Sequence, residues 1–455
     1  MSSGFVHLHT HSSYSPMWGI PTLEALCAAA REQGHDALAL TDTNGLYGVI
    51  RFLEVATRAG LKPILGAELI HDQHRAVLLA KTPEGYANLC RLLSARHEDA
   101  SFDFIETVQR YRAGLVILSD EVPALTAWHA QANEDLYVEL TPGDRLQHTV
   151  TYSRKSRIPP IATTRAAMLH PTEFEAHRLL RAIAKNTTLS RLRPEDCCAP
   201  SHWLMPSSAM ERALPHVPEA LTNTRRVADL CATAWDFQAT IFPSFRHMAA
   251  DAAFETLRNK TYKGAVWRYD VISEVVRARI EKELTVIRDK RFADYFLVVD
   301  EIVQQAPRTC GRGSAAASIV SYCLGITHVD PIRHHLLFER FLHSGRQDPP
   351  DIDIDFPWDE RPKILDWVFA RYGTHQAAMV ANQNTLAPRA AMREIAKVYG
   401  LPAAEIGRAL DLLHRRADFV EVTTDSTLKT WAAQVCTALR LNPPWPDILF
   451  WAGQL

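Results

Sequence analysis

Three aspartates alternate with apolar residues in one short segment, a pattern that can do chemistry with a divalent metal. The segment is Asp351-Ile352-Asp353-Ile354-Asp355-Phe356. Successive side chains of a strand point to opposite faces, so the carboxylates share one face and the apolar side chains share the other. Like charges this close repel one another unless a cation compensates them. Carboxylates together with substrate phosphates are typical ligands of Mg²⁺, so the pattern predicts a half-buried strand with a Mg²⁺-binding face.

A glycine-rich segment lies upstream of the acidic strand and suits a second chemical task. The segment Cys310-Gly311-Arg312-Gly313-Ser314-Ala315 lacks the Gly-Lys-Ser/Thr ending of a Walker A loop. Glycine lets a backbone approach phosphate closely, and a turn that opens a helix leaves free N–H groups. Tight helix packing is an equally good interpretation of these glycines alone. Together with the acidic strand, the segment favours metal-assisted phosphoryl or nucleotidyl transfer.

Alternate histidines near the N-terminus form a third candidate site. In His7-Leu8-His9-Thr10-His11 the imidazoles would share one face of a strand and could ligate a metal together. A purely structural histidine cluster is an equally good interpretation of the spacing. Asp42 and Glu68, each at the end of a predicted strand, could complete a metal site.

Short apolar segments alternate with helical patterns through residues 1–170, which predicts an α/β fold. The buried strands expected there are 37–40, 63–66, 76–79, 115–118, 136–140 and 160–162. Helical patterns between them include 22–33 and 45–58. Repeated β-α units predict a parallel sheet or a barrel, with its site at the C-terminal ends of the strands.

Helical patterns dominate the rest of the chain. Residues 171–250 are interrupted by prolines and are typical of a connector. Further helices are predicted over 272–287, 314–324 and 386–417. The arginines and lysines of 386–417 are expected on a solvated face, and a face that tracks DNA is the alternative.

Composition places the chain among ordinary soluble globular proteins with several domains. It has 455 residues, 47% hydrophobic and 22% charged, and a formal net charge of −2. That charge excludes a protein coated with nucleic acid, so a nucleic-acid contact would need a local basic track. An apolar run of about 18 residues is missing, so we expect no membrane span. Eight scattered cysteines and the lack of a signal peptide predict a reducing cytoplasm.

The motifs of residues 1–170 resemble a known metal-binding family. The runs His9-x-His11, Thr41-Asp42 and Gly66-Ala67-Glu68 are similar to the polymerase-and-histidinol-phosphatase (PHP) family. This resemblance implies a distorted β/α barrel with a multinuclear metal site. His9, His11, Asp42 and Glu68 match ligand positions of that site.

Three other ligand positions of the PHP family are altered in this chain. Trp18 replaces an aspartate, Thr43 replaces a histidine, and Arg165 stands where the family has an Asp-x-His motif. A cationic side chain at that last position disfavours metal ions. We therefore expect a degraded site with little or no phosphoesterase activity and at most a residual Zn²⁺ or Mn²⁺.

The second half of the chain strongly resembles the palm of the C-family bacterial DNA polymerases. The matching motifs are the glycine-rich segment, the acidic strand and the runs 292–299, 336–342 and 371–373. The resemblance extends from residue 5 to the end of the sequence. It implies a PHP-like barrel and connector over 1–240, the first part of a polymerase-beta-like palm over 241–384, and a helical thumb over 385–455.

The resemblance also implies roles for individual palm residues. Asp353 and Asp355 match the catalytic aspartates that hold two Mg²⁺ ions, and Asp351 is expected to be structural. The residues that match triphosphate-binding positions are Gly313, Ser314, Arg340 and Arg346. The implied substrates are a dNTP and primer–template DNA, with metal-activated attack by the primer 3′-hydroxyl.

The family's third carboxylate, second palm half and fingers are expected beyond residue 455. We therefore expect a DNA-templated DNA polymerase active site, used in replication or error-prone repair, that is incomplete or inactive in this chain alone. Contacts with a sliding clamp or other polymerase subunits would use regions outside these residues. The alternatives are a non-catalytic remnant that binds DNA or a partner, and a PHP phosphoesterase or 3′-5′ exonuclease.

Overall fold

The structure is a computed structural model that describes residues 4–454, apart from 133, 233–234, 238–240, 307, 344, 347–349 and 417–424. The chain forms two compact units: residues 1–235 together with 383–455, and residues 236–382. The domain boundaries predicted above, at 240/241 and 384/385, remain a prediction. Among the described residues, every helix is too short or too polar to cross a membrane.

A six-stranded sheet forms the centre of the first unit. Its strands, in chain order and in spatial order, are β1 (Ala37–Leu40), β2 (Lys62–His71), β3 (His74–Ala80), β4 (Leu115–Ser119), β5 (Leu136–Leu140) and β6 (Pro160–Ala162). Each expected strand is present. Strand β3 runs antiparallel to β2 and β4, whereas the other pairs are parallel. Only two residues separate β2 from β3, which suffices for a hairpin but not for a parallel crossover.

The segment that carries the alternate histidines joins the two edges of this sheet. His7 pairs with Leu38 of β1, and Thr10 pairs with Ala166, which follows β6. The backbone N–H of His11 donates to the Ala166 carbonyl at 2.8 Å. The sheet is thereby curled into a distorted barrel, which confirms the predicted α/β class and barrel.

Helices surround the sheet of the first unit. They are α1 (Leu23–Glu32), α2 (Val49–Arg58), α3 (Pro83–Glu98), α4 (Phe104–Tyr111), α5 (Val122–Gln131), α6 (Leu146–Ser156), α7 (Phe174–Ala184), α8 (Ser207–Ala213) and α9 (Pro218–Leu230). Helix α1 matches the helix predicted over 22–33. The Thr22 side chain caps its N-terminus by accepting a hydrogen bond from the N–H of Ala25. Helix α2 begins at Val49, after a turn at Tyr47 and Gly48, and so later than expected.

The second unit packs a small two-stranded sheet among helices. Its elements are α10 (Ala250–Tyr269), α11 (Glu274–Asp289), α12 (Ala293–Val303), β7 (Cys310–Arg312), α13 (Ile319–Cys323), β8 (Asp353–Asp355) and α14 (Arg361–Tyr372). Short 3₁₀ helices span Gly313–Ala317 and Phe338–Arg340. The helix predicted over 314–324 is split, because Ser318 is extended and its Oγ accepts from the N–H of Ser321 to cap α13.

A buried ion pair in the second unit connects α11 to the segments that follow β7. Glu283 is fully buried and accepts from Ser318 Oγ at 2.8 Å and from the N–H groups of Ile319 and Val320. Arg279 donates to Glu283 at 2.7 Å and to the carbonyls of two segments, at Ala317 and Leu336. One pair of charges therefore holds the start of α13 and both 3₁₀ helices in place.

The last four helices belong to the first unit. They are α15 (Pro388–Val398), α16 (Ala403–Arg416), α17 (Asp425–Leu439) and α18 (Trp445–Gln454). Their apolar side chains share a core with Leu179 and Ala182 of α7. The helix predicted over 386–417 is two helices, because Gly400 has φ 84° and Pro402 follows it.

His177 of α7 anchors the loop that carries Trp18. Its Nδ1–H donates to the Trp18 carbonyl at 2.8 Å, and its Nε2 accepts from the N–H of Cys198 at 2.9 Å. The acceptor role of Nε2 requires a neutral imidazole. Burial lowers the pKa of His177 to about 4, and the neutral ring is thus the stable form in the fold.

Replacing His177 by Phe should reduce the pH dependence of stability. Unfolding raises the pKa of His177 from about 4 towards 6.5, so its contribution is present above pH 6.5 and is lost as pH falls towards 4. That loss is about 2 kcal/mol between pH 7 and pH 5. Urea unfolding of both proteins at the two pH values should show His177→Phe less stable at pH 7, with the gap smaller at pH 5. A constant gap would contradict the prediction.

Replacing Glu283 by Gln should loosen the start of α13. The change leaves the half-buried Arg279 without its counter-charge and should cost about 2 kcal/mol, which accelerates amide exchange in α13 about 30-fold. Hydrogen–deuterium exchange measures this directly. The matched control is Glu281→Gln on the same helix, because Glu281 pairs with Arg258 at the surface. Equal exchange in the two variants would refute the role given to Glu283.

Candidate functional site

His9, His11 and Glu68 form a buried group whose ligand atoms all lie within 4.8 Å of one another. His9 Nε2 is 3.4 Å from Glu68 Oε1, and His11 Nε2 is 3.7 Å from Glu68 Oε2. The two histidines face Glu68 because the barrel closure places their segment beside β1, which pairs with β2. These three side chains could hold a metal ion, as the alternate histidine spacing suggested.

Hydrogen bonds to the other ring nitrogens orient both imidazoles. His9 Nδ1 lies 2.6 Å from Glu139 Oε1, and His11 Nδ1 lies 3.1 Å from Ser15 Oγ. A proton on each Nδ1 leaves each Nε2 directed at Glu68. His9 Nε2 is buried without a hydrogen-bond partner in the part of the chain that the structure describes. Such an atom fits either a proton or a metal ion.

Asp42 is buried beside this group but binds hydroxyl groups. It accepts from Ser12 Oγ at 2.8 Å, from the Ser12 N–H at 2.7 Å and from Ser15 Oγ at 2.6 Å. Burial raises the pKa of Asp42 in spite of these bonds. Thr43, at the altered ligand position, donates to Glu68 Oε2 at 2.9 Å. Trp18, at another altered position, packs its ring on His177 and Arg181.

Arg165 is buried on the other side of Glu139. Its guanidinium donates to Glu139 Oε2 at 2.7 Å and lies 3.0 Å from Asp120 Oδ2. Arg75 lies 3.1 Å from Asp120 and 4.0 Å from Glu68. Arg145, which is more exposed, lies 3.3 Å from Asp120, so three guanidinium groups pair with the three carboxylates of this pocket.

The charges of this network shift one another's pKa values. Burial alone would raise the pKa of Glu139, but Arg165 and His9 hold it well below its usual range. Burial alone would likewise raise the pKa of Asp120, which Arg165 and Arg75 lower. Burial lowers the pKa of His11 to about 3, against the attraction of Glu68. The carboxylates are ionised at neutral pH and need cations around them.

The residues of this pocket fit a resident metal only in part. Three donors converge, and among the described residues His9 Nε2 has no hydrogen-bond partner, although Glu68 Oε1 lies 3.4 Å away. However, Asp42 is engaged by serine hydroxyls, and two arginines already neutralise the carboxylates around the donors. A multinuclear metal site of the PHP type therefore does not fit these side chains.

Asp353 and Asp355 form the second candidate site, on one face of β8. Strands β7 and β8 are antiparallel, with Arg312 opposite Asp353 and Cys310 opposite Asp355. Both carboxylates are exposed, whereas Ile352 and Ile354 are half-buried and pack against the core of the second unit. The alternation predicted from the sequence is confirmed, although the strand is limited to Asp353–Asp355.

The end of β7 brings the glycine-rich turn beside these carboxylates. Gly313 has φ 67°, a conformation that favours glycine, and a Cβ there would lie 3.5 Å from Asp353 Oδ2. Ser314 follows it in the 3₁₀ helix and is half-buried. Arg312 Nε lies 3.0 Å from Asp355 Oδ1. A turn of backbone, two carboxylates and one guanidinium thus share a single exposed edge.

The two other predicted arginines are Arg340, which ends the second 3₁₀ helix, and Arg346, which follows that helix. Arg340 is exposed at the end of Phe338–Arg340, which contacts the 3₁₀ helix Gly313–Ala317. Arg346 is half-buried, and its Nη1 donates to the Phe341 carbonyl at 2.8 Å. Asp351 is exposed and lies outside the strand.

Sequence reasoning missed several residues of the first pocket. Glu139 lies in β5, Asp120 follows β4, and Arg75 lies in β3. Asp42 and Glu68 were chosen because they are polar residues near the ends of predicted strands. The same criterion could have found Glu139 and Asp120. In the second unit it missed Tyr295, whose hydroxyl accepts from the Ile352 N–H at 3.2 Å and supports β8.

Two family profiles match the chain in separate regions. The PHP domain family matches residues 7–143, which hold the histidines and the first part of the sheet. The family described as the bacterial DNA polymerase III alpha NTPase domain matches residues 255–439. That region contains the glycine-rich turn and the acidic strand.

Bacterial DNA polymerases are similar to this chain over most of its length. The error-prone DNA polymerase of Symbiobacterium thermophilum is 35% identical over 90% of this chain and 42% of its own length. The DNA polymerase III subunit alpha of Bacillus subtilis is 32% identical, and that of Buchnera aphidicola is 31% identical, each over 90% of this chain and 40% of its own length. The chain therefore spans about 40% of the length of these curated relatives.

Among solved structures, an amidohydrolase from Chromobacterium violaceum aligns with 34% of this chain and 84% of its own, at 16% identity and a TM-score of 0.26. That score is too low to support an argument. The sequence relatives and the two families agree with the motifs identified above. The chain thus carries a PHP domain followed by a bacterial DNA polymerase III alpha NTPase domain, and it is similar to bacterial DNA polymerases over about 90% of its length.

Proposed function

We propose that the second unit carries part of the active site for DNA-templated addition of a nucleotide to a primer 3′-hydroxyl. The observation that carries this proposal is the register of β7 and β8, which sets the Gly313 turn against Asp353 and places Asp355 on the same face. Phosphate-binding backbone and metal-binding carboxylates are the two parts that phosphoryl transfer needs side by side. The sequence relatives, which are DNA polymerases, support the same reaction.

The exposed carboxylates fit divalent metal ions, and we propose Mg²⁺. Asp353 and Asp355 present oxygens from one face of a strand, and their exposure leaves room for water and phosphate oxygens as further ligands. When bound, the metal ions would make the primer hydroxyl more acidic and offset charge on the leaving pyrophosphate. Arg312 neutralises Asp355 in the free protein and would have to release it when a cation binds.

The remaining residues would hold the triphosphate. Gly313 lets the backbone come close to phosphate oxygens, and Ser314 adds a hydroxyl donor beside it. Arg340, exposed on a neighbouring 3₁₀ helix, can offset charge on the phosphates. Arg346 donates to the Phe341 carbonyl, which orients its guanidinium.

The proposed substrates are a deoxynucleoside triphosphate and primer–template DNA. A formal net charge of −2 means that DNA would be held by a local basic surface, and binding should weaken with salt. We place the protein in the cytoplasm, where bacterial DNA is copied. Its eight cysteines are all free thiols, which suits that compartment.

Replacing Asp353 by Asn should weaken metal-dependent nucleotide binding by about tenfold or more, because the metal loses a charged ligand. The measurement is fluorescence titration of a labelled dNTP in Mg²⁺ and in EDTA, followed by primer extension with all four nucleotides. The matched control is Asp351→Asn, which removes an equal charge from an exposed aspartate just outside the strand.

Each outcome of these assays has a separate meaning. Extension that is lost in Asp353→Asn and kept in Asp351→Asn would establish nucleotidyl transfer by this chain. Mg²⁺-dependent nucleotide binding without extension would support the site but assign the chain a binding role when it acts alone. Equal nucleotide binding by the wild type and Asp353→Asn would overturn the proposal.

A further inference from the structure

The buried charges of the first unit are balanced by side chains of the chain itself. Three carboxylates meet there, from β2, from β5 and from the end of β4, and each is at least 95% buried. They are Glu68, Glu139 and Asp120. A buried carboxylate is costly unless a cation or several hydrogen bonds compensate it. In proteins a buried charge is paired with an opposite charge or coordinates a metal ion.

Arg165 supplies that cation here. Its side chain is 10% exposed and reaches two carboxylates at once, Glu139 at 2.7 Å and Asp120 at 3.0 Å. Its backbone has φ 49°, in the left-handed region that a residue with a Cβ rarely adopts. A bridging position and an unfavourable backbone conformation, in one residue, indicate that the contacts of the guanidinium hold the residue in place.

We propose that Arg165 is the permanent counter-cation of this pocket, so that the native chain holds no divalent metal there and removal of the guanidinium creates a metal site. His9 lies between Glu139 and Glu68. Its Nδ1 is hydrogen-bonded to Glu139, and its Nε2 faces Glu68. A metal ion beside His9 would lie between the cations Arg165 and Arg75 and would be repelled by both.

The surroundings would allow a metal ion to take the place of the guanidinium. A cavity of about 200 Å³ opens onto Asp120, Glu139, Arg165 and His202. Truncation of Arg165 would enlarge that cavity beside Asp120 and Glu139, which would lose the cation that they share. Asp120 would keep Arg75 and Arg145 as partners, whereas the charge of Glu139 would lose its arginine. Carboxylate and imidazole donors in one cavity suit Mn²⁺ or Zn²⁺.

The test compares the metal response of the wild type with that of Arg165→Ala. The full chain is stripped with EDTA, and its melting temperature and bound metal are measured with and without Mn²⁺ or Zn²⁺. The wild type should retain no stoichiometric metal, and its melting temperature should not respond. Arg165→Ala should melt several degrees lower, regain most of that loss in Mn²⁺, and bind the ion at least about tenfold more tightly than the wild type.

Two further variants separate charge replacement from general destabilisation. Arg165→Lys keeps a cation, so it should stay insensitive to metal. Arg279→Ala removes an arginine from a buried glutamate of the second unit, at a side-chain exposure of 16%, and should be destabilised without rescue by metal. Stoichiometric metal in the wild type, or equal rescue of Arg165→Ala and Arg279→Ala, would overturn the proposal. If Arg165→Ala does not fold in either condition, the wild-type metal content and Arg165→Lys still decide it.

Discussion

The architecture of this chain depends on the compensation of carboxylates that folding removes from water. Each unit buries a glutamate completely and places an arginine against it, Arg165 against Glu139 and Arg279 against Glu283. An uncompensated carboxylate at either position would cost several kcal/mol, so the loss of either arginine should destabilise its unit. In the first unit the pair closes a pocket, and in the second it organises the segments around β7.

The aspartates of β8 differ from these buried glutamates because they lie in contact with solvent. Asp353 and Asp355 remain exposed, and in the free protein only Asp355 has an arginine partner among the ion pairs of the described residues. Exposure leaves these carboxylates accessible to cations from solution. Burial therefore separates two kinds of carboxylate. A buried carboxylate with an internal partner supports the fold, whereas the exposed pair beside the Gly313 turn is open to ligands from solution.

Local sequence patterns predicted much of the fold, and the predictions that were wrong concern a helix break and a strand direction. The alternation of Ile352 and Ile354 with aspartates predicted correctly which side chains would face the core. Helix α1 followed from its apolar spacing and its Thr22 cap. The split at Ser318 was missed, because a serine inside an apolar helical pattern gives no sign that its hydroxyl will cap a second helix. The antiparallel β3 was missed because strand direction depends on the length of the connection.

The sequence by itself determined the chemical inventory: alternate histidines on one face, an acidic strand, a glycine turn, and an arginine where a related family has metal ligands. These depend only on residue type and backbone periodicity. Tertiary structure decided the pairing. Arg165 meets Asp120 and Glu139 because β4, β5 and β6 are neighbouring parallel strands and these residues lie at or after their C-terminal ends. His9 meets both Glu68 and Glu139 because residues 7–11 join the two edges of the sheet. Partners distant in sequence are set by the closure of the whole sheet, which no local pattern encodes.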